Sequence, residues 1–191
     1  MPNKVAEFLR FSASDPLALQ RDIAEQRIKL AAALQAGDSL AIVDAVADLG
    51  SMLTTARLEP EAVDLLEQHS VLAERHAGDE PAGWFWSAYA TALQYSGRRD
   101  QAEAFFIQAI ELAGQNGWRR LEALASHHWG RSLAEQGRLA EARACFSSAL
   151  VIREERKDEP GQASSCRALL ELSVLEARKA GAAADSVETS R

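Results

Sequence analysis

The strongest constraint on the fold is an internal repeat with a period of forty residues. The heptapeptide that begins at Ser96 recurs from Gln136, with a Gly-Arg pair at its second and third positions and an alanine at its seventh. A weaker copy begins at Ala56; it keeps the final alanine, Ala62, but has Arg57 in place of the glycine. A period in this range indicates stacked copies of one supersecondary unit, each of which buries its apolar face against its neighbours.

The glycine of the heptapeptide indicates a turn, and the residues on both sides of this turn recur as well. They predict one helix before the turn and one after it. Upstream, a large apolar residue is followed by a small one; downstream, an apolar residue lies nine positions past the turn. The matching residues are Leu49-Gly50, Tyr89-Ala90 and Trp129-Gly130 upstream, and Leu66, Phe106 and Phe146 downstream. A small side chain lets the partner helix come close, while the large one fills the remaining space. Gly97 and Gly137 suit the left-handed conformation that ends a helix.

The composition agrees with an all-α fold. The chain of 191 residues has 37 alanines and 23 leucines against 8 valines and 6 isoleucines, so strong helix formers far outnumber β-branched aliphatic residues. A parallel sheet would need Val/Ile-rich runs that the sequence lacks. The periodicity and the Pro, Gly and Asp joints predict helices at 16–36, 38–56, 59–77, 82–96, 99–115, 118–136, 139–157 and 160–180, with a short helix near 3–10. Residues 181–191 lack apolar spacing, and we expect a disordered tail there.

These residues resemble the tetratricopeptide repeat (TPR) family, in a bacterial type with helices lengthened to the forty-residue period. The resemblance implies an α-solenoid, a right-handed superhelix of stacked antiparallel helix pairs. Its repeats would occupy about 38–77, 82–115 and 118–157, and residues 160–180 would form the C-terminal capping helix. Residues 1–37 would then be N-terminal helices, either a cap or a degenerate repeat.

The resemblance also implies a binding surface, because the first helix of each pair in this family lines a concave groove. Register from the turn glycine places one set of polar and aromatic residues in that groove: Trp84, Ser87, Thr91, Tyr95, His127, Arg131 and Arg167. Two of them are aromatic residues of the kind that anchors interfaces, and the two arginines would suit an acidic peptide or a terminal carboxylate. The alternative is that Trp84 packs in the core and that the arginines are solvated or paired with Glu135 and Glu171.

Other functional classes have weaker support in the sequence. The net charge is −7, and the basic clusters are pairs, which argues against a nucleic-acid surface. His69 and His76 are seven residues apart and His127 and His128 are adjacent, so neither pair has metal-ligand spacing, and we expect no cofactor or metal. The sequence has no nucleophile elbow or phosphate loop, so we do not expect an enzyme.

The sequence also predicts the cellular location of the protein and the state of its cysteines. No apolar run is long enough for a membrane span, and the first ten residues carry charges where a signal peptide would be apolar, so we expect a cytoplasmic protein. The two cysteines, Cys145 and Cys166, lie in apolar-periodic segments and are expected to be buried free thiols.

The sequence therefore leaves two principal hypotheses for function. The first is a protein-interaction module that binds a peptide or a partner's helix in the concave groove. The alternative is a regulatory or neutralising protein, of the inhibitor or immunity type, that acts through its outer surface or as a homodimer. A hydrolase or metal enzyme is a third hypothesis with less support.

Overall fold

The computed structural model describes the backbone of residues 7–188 and the side chains of residues 7–179. Helices are the only regular secondary structure in this part of the chain. They are α1 (Pro16–Ala36), α2 (Ser39–Thr55), α3 (Glu59–Arg75), α4 (Glu80–Tyr95), α5 (Arg99–Asn116), α6 (Arg119–Glu135), α7 (Leu139–Glu155) and α8 (Glu159–Glu188). The prediction of an all-α fold is confirmed, and the helix ends lie within a few residues of the predicted ones, apart from the C-terminal end of α8.

The repeated turns have the geometry that their glycines predict. Gly97 and Gly137 have φ of 87° and 76°, in the left-handed region. In both turns the next residue donates its amide to a carbonyl five positions back, as in a Schellman motif. Arg57, which replaces the glycine in the weaker copy, has φ of 67° and keeps the same hydrogen-bond pattern. The turn therefore survives the loss of glycine, at the cost of a conformation that disfavours a side chain.

The small residues of the repeat are close-approach points between paired helices, as predicted. A Cβ atom built on Gly50 would lie 2.7 Å from Cδ1 of Leu66, and one built on Gly130 would lie 2.8 Å from Cε1 of Phe146. These glycines and their large partners occupy equivalent positions in different copies. The repeat in the sequence is therefore a repeat in packing.

The helices form two layers. Each helix packs against its neighbours in the chain, and α2 also packs against α4, and α4 against α6. The first helices of the pairs are accordingly the more buried ones: α4 and α6 bury polar as well as apolar residues, whereas α3, α5 and α7 bury little more than one stripe. The inner layer α2–α4–α6 thus has a face of its own, away from the outer helices, on which a site can form.

Both ends of the chain differ from the predictions. Residues 7–10 form a turn rather than part of a helix, because Leu9 adopts φ of 48°; residues 3–6 of the predicted short helix lie outside the described residues. At the other end, α8 continues to Glu188, where a tail was expected from residue 181. The alanines at 182–184 explain the difference, since alanine favours helix without any apolar spacing. Residues 189–191 lie outside the described residues.

The two cysteines are less buried than the sequence predicts. Both thiols are free, but Cys145 is half-buried and Cys166 is exposed, so the prediction of burial is wrong for Cys166. Its place on the solvent side of α8 is the reason, because the last helix has only one packed face.

Within residues 7–188, none of the helices combines the length and the apolar character needed to cross a membrane.

Candidate functional site

A cavity of about 200 Å³ lies on the free face of the inner layer, between α2, α4 and α6. Five of the seven predicted groove residues line it. Its lining consists of Arg10, Phe11, Ser51, Thr54, Thr55, Trp84, Ser87, Ala88, Thr91, Tyr95, Leu124, His128 and Arg131. The register carried over from the turn glycine therefore brings predicted residues of two helices, α4 and α6, to one place.

A second cavity, of about 340 Å³, adjoins the first through Arg131, which lines both. It contains the other two predicted residues, His127 and Arg167, together with Ser164 of α8. We call the two cavities together the groove. All seven predicted residues thus lie along the groove, although they contribute to it differently.

Trp84 lines the first cavity and is half-buried, with part of its ring packed on the core. Its Nε1 donates to Oε1 of Glu80 at 3.1 Å, and the guanidinium of Arg120 lies 5.3 Å from its ring. One side of the ring is therefore packed, while another side lines the first cavity. The packed side fixes the ring and makes it a rigid wall.

His127 lines the second cavity and is buried, with 6% of its surface exposed. Its Nδ1 is 3.2 Å from a guanidinium nitrogen of Arg153, and its ring centroid is 5.1 Å from that of Phe146. Burial, together with the positive charges of Arg153 and Arg131, lowers the pKa of His127 to about 3. The imidazole is consequently neutral and belongs to the packing of α6 on α7 and α8 more than to the open groove.

The neighbouring His128, which the sequence analysis did not place in the groove, lines the first cavity instead. Its Nδ1 lies 3.1 Å from Oγ1 of Thr91, and burial is the main reason that its pKa is lowered. The repeat itself could have identified this residue: His128 lies forty positions after Ala88, which lines the same cavity.

The main difference from the sequence analysis is that residues 7–12 of the chain itself lie across the groove. Arg131 donates from Nε to the carbonyl of Phe8 at 3.0 Å, and from Nη2 to the carbonyl of Leu9. Glu135 accepts from the amide of Phe8 at Oε1, at 3.0 Å. The Phe8 ring stacks on Phe146, with 5.9 Å between centroids. Two charged side chains of α6 thus hold the main chain of an irregular segment, which no local pattern in the sequence could indicate.

Arg10 fixes the middle of this segment. Its guanidinium lies 3.9 Å from the ring centroid of Tyr95, donates to the carbonyl of Thr54 at 2.8 Å and forms an ion pair with Glu59. It also pairs with Glu7 of the same segment at 2.7 Å, and only 6% of its side chain is exposed. A buried guanidinium requires such a complete set of acceptors, because desolvating an unpaired cation is costly.

The ion pair between Arg131 and Glu135, which the sequence analysis gave as an alternative, does not form among the described residues. Glu135, whose side chain is fully buried, instead accepts at Oε2 from Gln94 and from Arg99, both at 3.1 Å. Arg131 is buried and its pKa is lowered by desolvation. Its hydrogen bonds to the carbonyls of Phe8 and Leu9, together with the nearby charge of Glu135, stabilise the guanidinium there.

Within the described residues, no group of three or more histidine, cysteine or acidic side chains is placed to hold a metal ion. Comparison with protein-family models finds no family that matches the chain. Comparison with curated proteins finds no match either.

Proposed function

We propose that the protein is a protein-interaction module that binds an extended peptide, or a helix of a partner, in the groove. We also propose that its helix pairs stack as a TPR-like right-handed superhelix, with the groove on the concave side. The forty-residue period, the packing of α2 on α4 and of α4 on α6, and the cavities on their free face support both parts.

The observation that carries the proposal is the way in which the groove holds residues 7–12. Arg131 binds two successive carbonyls and Glu135 binds the amide next to them, so both contacts are to atoms that every peptide has. Such main-chain contacts give affinity, and the pockets for side chains beside them give specificity. The groove therefore has both parts of a peptide-binding site.

A selection from a random peptide library displayed on phage tests the proposal. Peptides selected on the full-length protein should bind with a measurable Kd, and the variant Ser51→Trp should weaken them at least about tenfold. Ser51 is exposed on α2 and lines the first cavity, so a tryptophan there would fill the space without entering the core.

The matched control is Ser148→Trp, since Ser148 is also an exposed serine but lies on the outer helix α7. Ser148→Trp should leave the Kd of the selected peptides unchanged. Peptides that bind both variants as well as wild type would show that the groove is not the binding site. A selection that yields no specific peptide would contradict the proposal altogether.

A further inference from the structure

Residues 7–12 occupy the groove incompletely. The ring of Phe11 lines the first cavity, yet 65% of its surface is exposed, so the cavity remains unfilled beside an aromatic side chain. The segment runs directly into the N-cap residue of α1, Asp15, whose carboxylate accepts from the amides of Leu17 and Ala18 at 3.0 Å. This short connection limits how deeply Phe11 can reach into the cavity.

The segment also carries backbone strain. Leu9 has φ of 48°, in the left-handed region where the Cβ atom of a residue other than glycine crowds a backbone carbonyl. A peptide that is not tied to α1 would be free to relieve this strain. It could also place an aromatic side chain fully in the cavity. A separate segment with the same contacts would therefore avoid this strain.

The groups that surround the Arg10 side chain give the groove its selectivity for one type of side chain. It combines the face of Tyr95, the carboxylate of Glu59 and the carbonyl of Thr54, which are the three kinds of group that a guanidinium binds best. The acceptors lie at the adjoining ends of α2, α3 and α4, so the fold holds them in place independently of residues 7–12. A lysine could not replace the arginine, because it has no planar group that stacks on Tyr95 and at the same time donates to the oxygen atoms of Glu59 and Thr54.

We propose that residues 7–12 hold the place of a partner segment of the same chemistry, an irregular or extended stretch with an arginine two positions after a phenylalanine. The arginine of the partner binds Tyr95 and Glu59, its main chain binds Arg131 and Glu135, and the aromatic residue that follows enters the first cavity. The partner displaces residues 7–12 when it binds. This inference rests on the proposed function of the groove and adds the chemistry of its ligand.

The test uses a fluorescein-labelled, capped octapeptide with the sequence of residues 7–14, Glu-Phe-Leu-Arg-Phe-Ser-Ala-Ser. Its matched control has citrulline in place of arginine, which keeps the shape and removes the charge. The host is the full-length variant Arg10→Ala, which vacates the guanidinium position and leaves the helices intact; Arg10→Gln is a second host. Circular dichroism confirms that each host is folded, and fluorescence anisotropy measures Kd.

The arginine peptide should bind the hosts at least about tenfold more tightly than the citrulline peptide, because one stacked and charge-assisted contact is lost. Adding Glu59→Gln to either host should remove most of this difference. In the wild-type chain, excess arginine peptide should accelerate hydrogen exchange at the amide of Phe8, which donates to Glu135 while residues 7–12 are in place.

Equal binding of the two peptides would overturn the arginine preference, and the phage selection would still decide whether the groove binds peptides at all. Failure of both peptides to bind either folded host would overturn the idea that residues 7–12 hold a partner's place. Unchanged exchange at Phe8 in the presence of bound peptide would show that the peptide binds elsewhere, and this result would overturn the proposal as well.

Discussion

Lowering the pH from about 7.5 to about 5 should destabilise the protein, and His127 should account for a defined part of the loss. The imidazole is packed between helices, where it meets the guanidinium of Arg153 from α7, the charge of Arg131 from its own helix, the ring of Phe146 and the hydroxyl of Ser164 at 3.5 Å. Burial is the largest cause of its lowered pKa, and the two cations add to it. Burial and both guanidinium groups disfavour the protonated form.

The sign and size of the effect follow from linkage. The pKa of His127 is about 3 in the folded protein, against an ordinary value of 6.5 that the unfolded chain should have. Above about pH 6.5 the imidazole is neutral in both states and contributes nothing. Below it the unfolded chain binds a proton that the folded protein does not, so the free energy of unfolding falls by about 1.4 kcal/mol per pH unit. By pH 5 the loss from this residue is about 2 kcal/mol.

Urea denaturation followed by circular dichroism at both pH values measures this loss in the wild type and in His127→Gln. Glutamine is neutral and keeps an acceptor for Arg153, so the variant should lose about 2 kcal/mol less than the wild type over the same interval. The window ends near pH 5 because most carboxyl groups titrate below it. If wild type and variant lost the same free energy, the burial of a neutral imidazole at this position would be refuted. A histidine NMR signal from His127 that titrates near pH 6 would refute it independently.

Two further predictions concern the repeat. Lys157 has φ of 56° at the turn after α7, so Lys157→Gly should stabilise the protein by about 1 kcal/mol, or roughly 2–4 °C in Tm. Gly117→Lys in the equivalent turn after α5, where φ is 73°, should destabilise it by a similar amount. A thermal melt of both variants checks this, and equal Tm values would contradict it. Gly130→Ala should destabilise by about 1–3 kcal/mol despite the higher helix propensity of alanine, because the new Cβ would meet Phe146 at 2.8 Å. Gly114→Ala in α5, where a Cβ would meet nothing within 4 Å, should be neutral or stabilising. If Gly114→Ala were less stable than Gly130→Ala, the contact with Phe146 would not be the cause of the destabilisation.

The fold could be predicted from the sequence because its determinants recur at a fixed distance along the chain. Gly50 and Gly130 face Leu66 and Phe146 for the same steric reason, and each pair is separated by one turn and parts of two helices. Because both residues of such a contact lie within one repeat, the pattern of one copy predicts the contacts of the next. Arg57 shows the limit of the pattern, since the turn persists there although the residue that signals it is absent.

The groove could be predicted only where it is built from the repeat. The positions of Trp84 and Tyr95 follow from the register of α4, and the structure places both beside the same cavity. What fills the groove does not follow from any register, because Phe8 and Arg131 are joined across 123 positions in the sequence. The spacing of Glu7 and Arg10 suggests one turn of helix. Their ion pair does form at that spacing, but on a turn that Leu9 bends into the left-handed region.

The contacts also change the expected charge of the ligand. An acidic ligand was predicted because Arg131 and Arg167 point to anions when they are considered as free cations. In the structure Arg131 binds two main-chain carbonyls, which a ligand of any charge supplies. The enclosed side-chain position at Arg10, in contrast, binds a guanidinium through Glu59. The net charge of −7 acts in the same direction, since the field of an acidic protein attracts cationic segments and speeds their association. Local contacts and overall charge therefore both support the proposed arginine-bearing ligand over an acidic one, whereas counting cations alone leads to the opposite expectation.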